Sequence, residues 1–173
     1  MSINDRLVKT SAFIIRTALI VNRIFIAAVL VGELFAWITP VQLATALFGS
    51  NLGPALPATI TGMRLEILLG ITEGVLTDRL LVALAQIIAS TGQGDPFISA
   101  NAVRLRTIGW YLLSIQLLAI PGGLLGRFFP SLGSAAPGIN FSVGGWLSVL
   151  MVFVLSRIFA AGAAMRDDLE GTV

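Results

Sequence analysis

The first 38 residues contain an apolar run that is too long for an ordinary helix of a soluble domain. Residues 17–38 hold only two charged side chains, Arg23 and Glu33, and no proline. A helix rises about 1.5 Å per residue, so this run is long enough to cross the hydrocarbon core of a bilayer, which is about 30 Å thick. Three further apolar segments follow along the chain. The sequence therefore predicts an all-α, polytopic membrane protein with four transmembrane helices.

The composition supports this class. The chain is 56% hydrophobic and only 12% charged, whereas a soluble domain normally carries about 25% charged residues. Its mean hydropathy is +0.93. The net charge is only +2 and the basic residues are scattered along the chain. This pattern argues against direct binding of nucleic acid, which needs a basic patch or stripe.

Several kinds of chemistry lack the side chains that they need. The chain has no cysteine and no histidine, so it lacks thiolate ligands as well as the commonest general base and transition-metal ligand. It also lacks a phosphate-binding loop, a dinucleotide fingerprint, a zinc-protease motif and a nucleophile elbow. The sequence therefore predicts a protein that is not an enzyme, with no catalytic residues, no metal site and no cofactor.

The chain is predicted to form one membrane domain over residues 1–173. Its helices are predicted at about residues 4–38, 59–90, 101–125 and 141–166. Helices 1 and 2 are longer than the bilayer is thick, so we expect both to extend into the cytoplasm. A further short helix is predicted over residues 41–48, on the membrane surface. Pro121 and the glycines that follow it are expected to bend or end helix 3 near the outer surface.

The distribution of basic residues predicts the orientation of these helices. In the arrangement above, the basic residues inside or at the inner edge are Arg6, Lys9, Arg16, Arg79, Arg104, Arg106, Arg157 and Arg166. Only Arg64 and Arg127 lie outside. Because cytoplasmic loops carry the excess of arginine and lysine, we expect a multi-pass protein of the bacterial inner membrane with both termini in the cytoplasm.

Charged residues inside the first two spans predict how these helices pair. Charges within a membrane are usually paired, because an unpaired charge at the bilayer centre costs about 2.5–3.5 kcal/mol. If residues 38 and 58 mark the outer ends of antiparallel helices, residues whose numbers sum to about 96 lie level. This alignment predicts three ion pairs: Arg23–Glu73, Glu33–Arg64 and Arg16–Asp78. The functional alternative is a proton or cation path lined by Glu33, Glu66 and Glu73.

Small residues on the same two helices predict close packing. Gly70 and Gly74 form a GxxxG step, and Ala28, Gly32 and Ala36 form a stripe at intervals of four residues. Such steps allow helix backbones to approach closely within lipid. They also allow a homo-oligomer, which is the basis of a purely structural hypothesis for the protein.

A polar, basic turn separates the two halves of the chain. We call residues 94–110 the elbow; its candidate site residues are Gly94, Asp95, Pro96, Phe97, Asn101, Arg104 and Arg106. Pro96 is incompatible with a continuing helix, and Ser99 and Asn101 are suited to cap a new one. Phe97 is expected to pack back as an apolar plug. The arginines are expected to anchor the topology, within reach of lipid headgroups.

The C-terminal tail, residues 165–173, is acidic. Its candidate partner-binding residues are Asp167, Asp168, Glu170, Thr172 and Val173. Three interpretations stay open: a solvated helix end, a docking strip for a cytosolic partner, and a latch onto Arg104 and Arg106.

Two motifs give the chain a family resemblance. The elbow reads GDPF, then Asn101, then RLRTIGW, and the tail ends in DLEGTV. Together these resemble the YoaS-like family of small bacterial inner-membrane proteins, a domain of unknown function with four transmembrane helices. The resemblance implies no chemistry. It does imply a partner, because members are often encoded beside a small Cro/CI-type helix-turn-helix regulator.

Two functional hypotheses follow. The first is a non-enzymatic membrane sensor or tether, surrounded by membrane lipid, that binds a small cytoplasmic helix-turn-helix regulator. The second is a small ion-coupled transporter or channel subunit that uses its intramembrane carboxylates. The sequence does not reveal the signal sensed, the identity of a partner or the oligomeric state.

Overall fold

The protein is all-helical throughout the residues that the computed structural model describes, 3–92, 96–136, 138 and 142–170. No β-strand occurs within those ranges. The α-helices are α1 (Ile3–Ile38), α2 (Pro40–Phe48), α3 (Leu56–Thr91), α4 (Ser99–Phe128) and α5 (Val143–Glu170). Two short 3₁₀ helices cover Gly53–Ala55 and Pro130–Ala135. The four long helices lie close to their predicted positions.

Three helices of the described chain are long and apolar enough to cross a membrane. They comprise Arg6–Ile38, Ser99–Phe128 and Val143–Arg166. They expose large apolar side chains, including Phe13 at 71%, Phe128 at 73% and Met151 at 62%. Apolar surface of this extent is favourable against lipid and unfavourable against water. These features indicate a membrane protein.

The short helix and the proline of α4 test two predictions about local structure. α2 confirms the helix predicted over residues 41–48, and a proline occupies its first turn, where the missing N–H costs nothing. Helix α4 continues through Pro121 to Phe128, so it does not end at this proline; the alternative, a bend at Pro121, stays a prediction. An unwound backbone in lipid would leave several polar groups without partners, which costs more than the single hydrogen bond that proline removes.

The described residues group into two compact units. The first comprises Met1–Asn22, Leu76–Ser114 and Val143–Val173. The second comprises Arg23–Val75 and Ile115–Ser142. The single domain over residues 1–173 stays a prediction.

The second unit has a small core built around Met63. Met63 is 3% exposed and packs with Ala36, Ala44, Leu132 and Ala136, which are also buried. Small side chains dominate this core, so helix α2 and the second 3₁₀ helix can come close.

A hydrogen bond and a glycine contact fix the 3₁₀ helix Pro130–Ala135 within the second unit. The fully buried Thr59 donates its hydroxyl to the carbonyl of Ala55 at 2.8 Å, and its Oγ1 lies 2.6 Å from the Ser131 hydroxyl. The Phe129 side chain packs on Gly62, where an added Cβ would lie only 2.7 Å from the ring.

Candidate functional site

The elbow, residues 94–110, lies in the first unit and combines the connection after α3, which ends at Thr91, with the first turns of α4, which begins at Ser99. The amide of Gly92 donates to the carbonyl of Ile88 at 3.2 Å, which closes the last turn of α3. Two of the predicted site residues, Gly94 and Asp95, lie outside the described residues.

Asn101 is the centre of the elbow. Its side chain is completely buried. The amide Nδ2 donates to the carbonyl of Pro96 at 2.9 Å, and Oδ1 accepts from Arg104 Nη1 at 2.8 Å. The Ser90 hydroxyl lies 3.0 Å from the same Oδ1. One side chain therefore joins the end of α3, the connecting loop and the first turn of α4.

The expectation that Asn101 caps helix α4 is wrong. The residue lies inside the helix, and its backbone amide donates to Ile98 at 2.9 Å. Its side chain instead satisfies groups outside the helix, as a buried amide must. The sequence drew attention to Asn101 but gave no sign of Ser90, because a serine near a helix end is common and unspecific.

Phe97 packs back onto α5, as the sequence predicts. Its ring centroid lies 4.9 Å from that of Phe159, with the two planes tilted by 34°. Gly162 makes this approach possible, since a Cβ there would lie 3.0 Å from Cδ1 of Phe97. Phe97 nevertheless stays 43% exposed, so it presents apolar surface within the elbow.

A groove of about 610 Å³ lies between α4 and α5 in the first unit. Its polar lining residues are Ser99, Arg106, Ser156 and Arg157, and its aromatic ones are Trp110 and Phe153. Alanines supply most of the remaining wall. The sequence singled out Arg106 for the elbow but placed Arg157 only in the count of inner charges, because nothing in a linear pattern shows that residues fifty positions apart share a cavity.

The two aromatic residues of the groove form an edge-to-face pair. The rings of Trp110 and Phe153 are 5.4 Å apart at an angle of 81°. Gly109 lies directly behind, and a Cβ there would lie 3.0–3.1 Å from three atoms of the Phe153 ring. This packing leaves the ring of Phe153 little freedom, so this side of the groove is well defined.

Both members of the predicted Glu33–Arg64 pair contact Trp37 in the second unit. Arg64 lies over the Trp37 ring, with its guanidinium carbon 4.3 Å from the centroid. Trp37 Nε1 donates to Glu33 Oε1 at 2.8 Å. Arg64 also donates twice to the carbonyl of Ala36, at 2.8 and 3.1 Å. Sequence reasoning missed Trp37, although a tryptophan four residues after a glutamate on one helix is within hydrogen-bonding reach.

The contacts of α1 with α3 in the second unit follow a different register from the predicted one. Arg64 meets Ala36, and an added Cβ at Gly74 would lie 2.8 Å from Ile26. In each of these two contacts the residue numbers of the partners sum to 100, whereas the predicted alignment has level residues whose numbers sum to about 96. The difference is about one helical turn. In this register Arg64 binds a carbonyl in the last turn of α1, where carbonyls lack intrahelical partners.

The observed register brings Glu33 level with residue 67, next to Glu66. The Oε2 atoms of Glu33 and Glu66 are both buried and have no hydrogen-bond partner among the described residues.

Of the two glycines in the GxxxG step, only Gly74 is crowded; Gly70 has no neighbouring atom within 4 Å of an added Cβ. The Arg23–Glu73 and Arg16–Asp78 pairs stay predictions.

The tail is helical as far as Glu170. Asp168 is exposed at this end of α5. The side chains of Asp167 and Glu170, together with Thr172 and Val173, lie outside the described residues. Both the docking strip and the latch therefore stay predictions.

A family model described as "Protein of unknown function (DUF2975)" matches residues 78–173, which is more than half of the chain. The chain belongs to the DUF2975 family. The DUF2975 region begins within α3 and includes the elbow, all of α4 and α5, and hence every residue that lines the groove. Neither the curated proteins nor the solved structures include a match.

Proposed function

We propose that this DUF2975 protein is a bacterial inner-membrane tether that binds a small helix-turn-helix regulator at its cytoplasmic face. In this proposal α3 is the fourth transmembrane helix, and α1 and α3 extend into the cytoplasm. The family resemblance of the elbow and the tail supports a regulator as the partner. Binding at the membrane removes the regulator from DNA, and a signal that alters the binding surface releases it.

The elbow is the observation that carries the proposal. Asn101 is hydrogen-bonded to Pro96 and Arg104, so these parts of the elbow are held together by contacts within the chain itself. Exposed apolar side chains lie in the same unit, with Phe97 at 43% and Met165 at 64%. A rigid surface with exposed apolar groups loses little entropy on binding and gains from the burial of those groups.

The topology can be tested by cysteine labelling, because the chain has no cysteine of its own. Ser99→Cys places a thiol at the elbow and Ser50→Cys places one after α2. A membrane-impermeant maleimide added to intact cells should label Ser50→Cys only, and should label Ser99→Cys after the membrane is opened. Labelling of Ser99→Cys in intact cells would show that the elbow faces outward.

The partner can be tested by purification from membranes, using the full chain and a chain that lacks residues 166–173. We expect the full chain to retain the regulator and Met165→Gln to weaken its retention. Leu47→Gln is the matched control, since Leu47 is similarly exposed at 61% but belongs to the other unit. The tether is refuted if no regulator co-purifies with either chain.

A second function is favoured by the buried carboxylates. Oε2 of Glu33 and Oε2 of Glu66 have no hydrogen-bond partner among the described residues, and ionisable groups in that state inside a membrane commonly belong to proton or cation paths. Proteoliposomes that carry the protein would then show cation or proton flux. Loss of this flux in Glu66→Gln and Glu73→Gln, with expression unchanged, would favour a transporter over a tether.

A further inference from the structure

The groove between α4 and α5 concentrates positive charge. Arg106 from α4 and Arg157 from α5 both line it, and no aspartate or glutamate among the described residues does. Two guanidinium groups that share a cavity without an acidic partner repel each other, and a bound anion removes that repulsion. The groove therefore has the charge of an anion site.

Neither of these arginines has another role within the described chain. Arg104 and Arg64 each donate hydrogen bonds to neighbouring residues. Arg106 and Arg157, in contrast, make no hydrogen bond, ion pair or ring contact with any residue in the described ranges, and both side chains are exposed. Their donors are available to a ligand.

The walls of the groove suit a molecule that is polar at one end and apolar at the other. Trp110 is 57% exposed on one wall and packs edge-to-face on Phe153. Ala102 and Ala163 are buried behind it and leave room for an apolar chain. A tryptophan with an exposed ring is typical of the headgroup region of a membrane.

The groove also lies at the right place along the helices. It uses residues 99–110 at the start of α4 and residues 153–164 in the middle of α5, and both helices are long and apolar enough to cross a membrane. α4 has 30 residues, which at about 1.5 Å each exceeds the hydrocarbon thickness. One end of α4 therefore reaches the headgroup layer.

We propose that this groove binds an anionic phospholipid, with the headgroup phosphate between Arg106 and Arg157 and the acyl chains along Trp110 and Phe153. Arginine pairs phosphate oxygens through two parallel N–H donors, and basic pockets between membrane helices bind anionic headgroups. The volume of about 610 Å³ lies within the range of small-ligand sites. An acidic peptide has the same charge but lacks the acyl chains that this groove, on membrane-crossing helices, can accommodate. The lipid site does not require the regulator.

The test measures lipid binding to the purified, delipidated protein in a neutral detergent. Native mass spectrometry measures the bound fraction as the protein is titrated with each of three ligands. These are phosphatidylglycerol, an anionic lipid; phosphatidylcholine, a lipid without net charge; and glycerol 1-phosphate, a soluble anion. The groove variant is Arg106→Gln/Arg157→Gln. Its matched control, Arg6→Gln/Arg127→Gln, removes the same charge from exposed arginines that do not line the groove.

We expect the unaltered protein to bind phosphatidylglycerol more tightly than phosphatidylcholine and to leave glycerol 1-phosphate unbound. The groove variant should bind phosphatidylglycerol at least about tenfold more weakly, since charge-assisted hydrogen bonds to phosphate are lost. The control should bind as the unaltered protein does. Circular dichroism and gel filtration check the folding of each variant; if the double variant does not fold, the single variant Arg106→Gln should still weaken binding.

Three results would overturn the proposal. Equal losses in the groove variant and the control would show attraction to the protein as a whole. Equal binding of the two lipids would show that the arginines do not recognise the headgroup. Binding of glycerol 1-phosphate as tight as that of the lipid would assign the groove to a soluble phosphate instead.

Discussion

Replacement of Asn101 by alanine should destabilise the protein more than any change at the exposed surface of the elbow. The variant loses the bond to the Pro96 carbonyl, the contact with Ser90 and the charge-assisted bond from Arg104. The neutral hydrogen bond to Pro96 contributes about 1 kcal/mol and the charged one about 2 kcal/mol. The contact with Ser90 adds little, because the single hydroxyl proton of Ser90 is also directed at the Ile87 carbonyl, 2.8 Å away. We therefore expect the free energy of unfolding to fall by about 3 kcal/mol.

The assay is reversible unfolding in mixed micelles, where a neutral detergent is replaced stepwise by SDS. Ser99→Ala is the matched control, since Ser99 is exposed and makes no hydrogen bond within the described residues; its effect should stay within about 0.5 kcal/mol. Asn101→Asp keeps the acceptor for Arg104 but replaces the donor to Pro96 by a buried carboxylate oxygen, so it should also destabilise the protein, with the charge of Arg104 offsetting part of the cost. If Asn101→Ala costs no more than Ser99→Ala, the elbow is not held by this side chain.

Two other predictions use the same unfolding assay. Gly109→Ala places a Cβ 3.0 Å from an aromatic ring and should lower the free energy of unfolding by about 1–3 kcal/mol. Gly70→Ala, with no atom within 4 Å of the added Cβ, should leave this free energy unchanged or raise it by up to about 1 kcal/mol. Equal effects of the two variants would contradict the packing described for Gly109. Thr59→Val and Ser131→Ala remove the two hydroxyls that lie 2.6 Å apart, and a double-mutant cycle should give a coupling of about 1 kcal/mol. A coupling of zero would show that the hydroxyls do not interact.

The long helices could be predicted from the sequence because each contains a long apolar run. A run of more than twenty apolar residues leaves few alternatives to a helix, since every backbone group in lipid needs an internal partner. The same principle explains why the helix does not end at Pro121, which was one of the two outcomes expected there. Helix α4 continues to Phe128.

The helix register could not be predicted from the assumed helix ends. The alignment took residues 38 and 58 as level and placed Glu33 beside Arg64, whereas Arg64 binds the carbonyl of Ala36 and stacks on Trp37. Backbone carbonyls at a helix end also attract cations, and they do not appear in a list of charged residues.

The candidate site was recognised in part. The motif around Asn101 and Arg106 drew attention to the elbow, because a basic and proline-containing turn is unusual in so apolar a chain. The groove itself was missed. Its second arginine, Arg157, lies on another helix, and only tertiary packing brings the two side chains together.

The partners of Asn101 all lie close to it in the sequence. Ser90, Pro96 and Arg104 are within eleven residues of it on either side. During biosynthesis this hairpin can therefore close as soon as the first turn of α4 has left the ribosome, before any of α5 has been made. Insertion of the second half of the protein then follows this closure, and α5 afterwards adds the rings of Phe159 and Phe153 against Phe97 and Trp110.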